Sequence, residues 1–70
     1  MSKENETRVK GTVTESLPNT TFRIDGENGK QILAYLSGKM KRFRIKVMVG
    51  DQVDVIVDQN GDKGRIDRRL

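Results

Sequence analysis

From Arg8 the chain alternates. Val9, Gly11 and Val13 share one parity and Arg8, Lys10, Thr12 and Thr14 the other, which is the pattern of a strand with one buried face. Pro18-Asn19 interrupts it as a turn signal. Alternation returns in TTFRID, with Phe22 and Ile24 inward and Arg23 outward. Asp25-Gly26-Glu27-Asn28-Gly29 reads as a hairpin turn, and QILAYL as a third strand with Ile32, Ala34 and Leu36 on one face and Leu33 and Tyr35 on the other. Ser37 is placed to cap a short helical turn from about Gly38. That turn is expected to be brief, because alternation resumes from Arg42 onward: Arg42, Arg44, Lys46 and Met48 against Phe43, Ile45, Val47 and Val49. An extended backbone here would line cations along one face and bury apolar side chains on the other. Gly50-Asp51 turns the chain into a fourth strand, in which Val53, Val55 and Val57 alternate with Gln52, Asp54 and Ile56. After the loop Asp58-Gln59-Asn60-Gly61-Asp62, Gly64 to Arg69 forms a last short strand whose clearest core residue is Ile66.

These elements describe an all-β fold: a five-stranded OB-fold barrel with a short helical turn between strands 3 and 4. An SH3-like barrel is the rival on strand count. A chain of 70 residues makes one domain. It divides into a flexible, charged N-terminal arm over residues 1–7 and a barrel over residues 8–70.

Composition narrows the chemistry. Cysteine and histidine are both absent, which removes disulfides, thiolate metal sites, the commonest general base and the commonest neutral metal ligand. Asp51 and Asp54 are close in sequence, but a Gly-Asp turn before a strand is ordinary punctuation, and acid–base catalysis needs carboxylates in a cleft. The glycines form no phosphate loop, and Asp58, Asn60 and Asp62 lack the distal glutamate of a calcium loop. No enzyme activity, cofactor or metal is expected. No apolar segment of membrane-spanning length or leader type is visible, so a cytoplasmic protein without membrane partners is expected.

Charge changes the picture more. The formal net charge is +4. Lys39, Lys41, Arg42, Arg44 and Lys46 fall within eight positions with no anion before Asp51, and the tail adds Arg65, Arg68 and Arg69. Two readings are open. The cations could be a solvated strand face that protects an edge, or they could meet a polyanion. On an OB barrel, the first loop and the outer face of the middle strands form the usual binding surface. Here that surface offers Asn19, Thr20, Arg23, Tyr35 and Phe43. Only three aromatics exist, too few for a general single-strand binder, and Phe22 reads as core, which leaves Tyr35 as the stacking candidate. A folded RNA recognised by shape and phosphate geometry fits this better.

The segments GTVTESLPNTTFRI, LSGKMKRFRI, VGDQVDV and KGRIDRR, in that order and spacing, resemble bacterial translation initiation factor one. The resemblance runs from about Gly11 to Arg69. ESLPN-x-x-FR and SGKM carry it, whereas Gly-Asp-x-Val is shared by related RNA-binding barrels. It implies an OB fold and a non-enzymatic, monomeric factor. Such a factor binds the decoding (A) site of the small ribosomal subunit, between the rRNA decoding helix and a neighbouring ribosomal protein. It works with a GTP-binding initiation factor in selecting initiator tRNA. The positions matching RNA-contacting ones are Asn19, Thr20, Thr21 and Arg23, then Lys39, Lys41, Arg42 and Lys46, then Arg65 and Arg69; Tyr35 and Arg44 join them from the residue reading. The chain departs from the family pattern in its acidic DQNGD loop, in Asp67 where apolar or aromatic residues are common, in Arg44 where an aromatic is common, and in Tyr35 where histidine is frequent. It resembles a divergent member. A cold-shock-type RNA chaperone and a non-catalytic protein-interaction module remain as alternatives.

Overall fold

The computed structural model describes residues 7–70. The chain forms β1 (Thr7–Leu17), β2 (Thr21–Gly26), β3 (Gln31–Leu36), α1 (Gly38–Arg42), β4 (Gln52–Val57) and β5 (Lys63–Arg69). The strands close into a barrel in the order β1-β2-β3-β5-β4. All pairings are antiparallel except β3 with β5, which is parallel. This is the five-stranded OB barrel with its helix between β3 and β4, as the alternation predicts. The arm expected over residues 1–7 lies outside the described residues except for Thr7, which opens β1 and pairs with Val57.

Alternation places the core. Val9, Val13, Phe22, Ile24, Ile32, Ala34, Val53, Val55 and Ile66 all point inward and are buried. Each of these side chains larger than that of Ala34 contributes roughly 1.5–3 kcal/mol by leaving water. Helix α1 plugs one end of the barrel: Met40 is fully buried, the one buried residue of that helix. Ser37 caps it as expected, its Oγ accepting from the Met40 N–H at 3.3 Å, and the Ser37 N–H donates to the Ile66 carbonyl at 3.1 Å. The helix is thereby tied to β5.

One expectation fails: the segment from Arg42 to Val49 is no extended run. Arg42 ends α1, and Arg44 takes a left-handed backbone (φ 55°) that no extended run contains. The Ile45 N–H donates back to the Met40 carbonyl at 3.0 Å, which closes off the helix. Ile45 and Val47 still pack on the core, but Phe43 and Val49 are exposed. The physical reason is closure: every strand of the barrel already has two partners, so this segment finds no edge to pair with. The alternation also gave no sign of how Asp54 is covered. Its side chain is only 6% exposed. It lies beneath two arginines, with Arg8 Nη1 at 3.1 Å and Arg68 Nη2 at 3.6 Å from its Oδ2. A carboxylate covered this well has to be paired, and it is.

A bulge in β5 extends this network. The register steps from Asp54↔Arg68 to Val55↔Ile66 and leaves Asp67 with no residue opposite it. The freed Asp67 side chain accepts from Arg8 Nη1 at 2.8 Å and faces Lys39 Nζ at 4.0 Å. Arg8 therefore links β1 to β4 and β5 at once. The hydrogen bond from Arg8 holds the Asp67 carboxyl below the usual carboxylate range; burial works against this, and the fields of Lys39, Arg8 and Arg65 reinforce it.

The β4–β5 approach imposes the tightest constraint. A Cβ on Gly64 would sit 2.1 Å from the Ile56 carbonyl oxygen, against unyielding backbone. Gly64→Ala is therefore expected to cost about 1–3 kcal/mol or more. In a domain this size that lowers Tm by about 4–8 °C per kcal/mol; an unchanged Tm would contradict the packing described. A second expectation concerns acid. Because the folded-state pKa of Asp67 is lowered, its contribution is complete above the unfolded value and is lost as pH falls through the folded one. In urea melts, wild type should exceed Asp67→Asn in stability at neutral pH. The gap should close as pH falls below about 4; a gap independent of pH would contradict the assignment.

Candidate nucleic-acid interface

The sequence-predicted residues gather mainly around the end of the barrel that α1 closes. After Pro18, Asn19 and Thr20 both adopt left-handed backbone (φ 64° and 54°), which turns β1 tightly into β2. The Asn19 carbonyl accepts from Thr20 Oγ1 at 2.6 Å and from Thr21 Oγ1 at 3.3 Å, so the hydroxyls stiffen the turn. Its other side is held by the Leu36 N–H, which donates to the Thr20 carbonyl at 3.3 Å. The turn is thus fixed beside the exit of β3.

Register then sets a row across three strands. Thr21 pairs with Tyr35, and Tyr35 with Arg65. Adjacent strands lie about 4.8 Å apart, so the row spans about 10 Å. Tyr35 is half exposed and offers a ring on that face. Its place beside a guanidinium suits a base or sugar, with phosphate reached by the cation.

Helix α1 and the segment after it supply the other cations. Lys39, Lys41, Arg42, Arg44 and Lys46 are all exposed. They sit on a short helix and an irregular segment, and the sharp turn at Arg44 fans them out where a strand would have lined them up. Arg69 is brought back to this segment, its Nη1 donating to the Lys46 carbonyl at 3.0 Å. The C-terminal and central basic clusters, 23 residues apart in sequence, therefore meet.

Not every predicted residue is available as a bare cation. Arg23 lies on the face of Thr21, two positions further along β2. Its Nε donates to Glu15 at 3.1 Å and its Nη1 to Gln31 at 3.4 Å. Lys39 faces Asp67, though its side chain is 58% exposed. Arg68, part of the tail cluster, covers Asp54. Phe22 is buried as expected, while Phe43 is 66% exposed beside Arg42 and Arg44, an aromatic the pattern had assigned to a buried face. Sequence reasoning also missed the Arg8–Asp54–Asp67 network. Its one sequence signal is an acid inside the apolar run VDVIV.

A separate cleft, lined by Lys10, Gly11, Thr12, Asp25, Gly26, Glu27 and Gln52, contains none of the predicted residues. Among the described residues, no cluster of carboxylates is placed to hold a metal, and no helix is long and apolar enough to cross a membrane.

The barrel has known counterparts. The solution structure of translation initiation factor one from the Wolbachia endosymbiont strain TRS of Brugia malayi aligns with a TM-score of 0.76 at 38% identity, over 96% of this chain and 80% of that one. YjeQ from Thermotoga maritima, a crystal structure, aligns with a TM-score of 0.73 at 29% identity, over 91% of this chain but only 23% of that one. That second likeness is to one portion of a larger protein. The family described as Translation initiation factor 1A / IF-1 matches residues 1–70. A match along the whole length, on a barrel shared with a solved initiation factor, makes this chain a member of the translation initiation factor 1A / IF-1 family.

Proposed function

We propose that this initiation factor binds the decoding (A) site of the small ribosomal subunit through its rRNA and assists the selection of initiator tRNA without catalysing a reaction. The observation that best supports this reading is the convergence, in a member of this family, of the 18–21 turn, Tyr35, α1, Arg65 and Arg69 around one end of a rigid barrel. Lys39, Lys41, Arg42, Arg44, Lys46, Arg65 and Arg69 hold phosphates. Electrostatic contacts of this kind fix position and orientation and leave sequence unread. The stiff turn of Asn19, Thr20 and Thr21 enters a groove beside them, with Arg23 behind it. Tyr35 gives a face on which an unpaired base can stack; taking a base out of its stack costs a few kcal/mol, which such contacts offset. Occupancy of the site then blocks early tRNA entry, with no bond made or broken. A neighbouring ribosomal protein and the GTP-binding initiation factor are the expected protein partners. The factor acts as a monomer in the cytoplasm.

The absence of histidine and cysteine, and the lack of clustered carboxylates among the described residues, fit a role by occupancy. Exposed aromatics are few, Tyr35 and Phe43, which favours a folded site over free single strands.

Competition on isolated small subunits tests the reading. Binding should weaken steeply with salt, the logarithm of affinity falling by about 0.7–0.9 per phosphate contact for each tenfold rise. It should also be lost to an A-site ligand. Equal affinity for unstructured RNA would favour the chaperone alternative, and indifference to the A-site ligand would favour the protein-interaction module. Lys39→Glu combined with Lys41→Glu should abolish subunit binding and leave the circular dichroism spectrum unchanged, since both side chains are exposed. Normal binding by that folded double variant would reduce the basic segment to a solvated surface.

A further inference from the structure

Glu15 and Asp67 both touch the predicted cationic set, and they differ in kind. Glu15 meets Arg23 from the surface, with more than half of its side chain in water. Asp67 is fixed. Its side chain is 19% exposed, it projects from the β5 bulge, and Arg8 holds one of its oxygens at 2.8 Å. The other oxygen faces the Lys39 ammonium at 4.0 Å. Arg65, a second predicted phosphate ligand, lies two positions before it on β5. A surface carboxylate can swing aside when a phosphate arrives. Asp67 cannot, because Arg8 and the bulge set its position.

Resting on the functional reading above, we propose that Asp67 is a built-in competitor for RNA phosphate: its carboxylate pairs with Lys39, so the factor binds its site less tightly and leaves it sooner than its cations alone would allow. A phosphate that reaches Lys39 exchanges one anion for another. Less counterion is released, and the incoming charge meets a fixed negative charge beside the ammonium. Opposite charges at this separation in a watery setting alter an equilibrium by about fivefold. Affinity changes between related complexes fall mostly on the rate of leaving.

The full chain bound to isolated small ribosomal subunits gives the test, with affinity and dissociation rate measured across a salt series. Asp67→Asn keeps the shape and removes the charge; Asp67→Thr suits a strand and serves if the asparagine variant folds poorly. Either folded variant should bind about fivefold more tightly and dissociate more slowly, with a salt slope steeper by about 0.7–0.9. Lys39→Gln should cost more affinity in the Asp67→Asn background than in wild type, because only there is Lys39 unopposed. Unchanged affinity and slope in the folded variants, or an equal cost of Lys39→Gln in both backgrounds, would overturn the proposal while leaving the functional reading intact. Failure of the wild type to bind subunits would overturn that reading instead.

Discussion

The parallel pairing of β3 with β5 holds the cationic end together. Leu33 to Leu36 run beside Lys63 to Ile66, and this pairing converts an open sheet into a closed barrel. Without it, Arg65 and Arg69 would have no fixed relation to Tyr35 or α1. The crossover between β3 and β4 does two jobs on the way: α1 drives Met40 into the open end of the barrel, and the following segment carries the cations round its outside. Pairings this distant in sequence close slowly, because loop entropy is lost before the contacts form. Gly64 lets β5 approach β4 closely enough for the closure to complete.

Charge is distributed by the same geometry. A dense set of cations would repel itself if left alone. The structure answers with anions placed by strands: Asp54 on β4 under Arg8 and Arg68, Asp67 on the β5 bulge between Arg8 and Lys39, Glu15 on β1 against Arg23. Asp54 is the covered member, and a covered acid with its arginines removed would be costly. In the role proposed for it, Asp67 serves the fold and opposes the interface at once, so stability and RNA affinity would pull in opposite directions at one side chain.

Much of this was legible in the sequence, for specific reasons. Period-two alternation with turn residues between runs marked all five strands, and Ser37 ahead of Gly38 marked the helix. These signals are local, and so is the physics behind them. The run from Arg42 to Val49 misled because alternation reports which side chains face the core and says nothing of whether a strand edge is free. Ile45 and Val47 do face inward, but the barrel had no place for another strand. The cover over Asp54 was hidden for a related reason: its arginines come from β1 and β5, the strands that flank β4 in the barrel, and alternation along one strand does not report its neighbours. The meeting of Arg69 with Lys46, and of Asp67 with Lys39, depends on tertiary closure and a one-residue bulge, which no local pattern encodes. The candidate residues themselves came from charge spacing and family resemblance, while their grouping came from the strand register.

Hydrogen–deuterium exchange of the full chain, free and bound to small ribosomal subunits, tests the central arrangement most directly. Protection should appear in peptides spanning residues 18–23, 35–46 and 65–69. It should be absent from the turns at residues 27–30 and 58–62, which Asn28 and Gly61 join at the other end of the barrel. Protection spread evenly over the molecule, or centred on those joined turns, would contradict it.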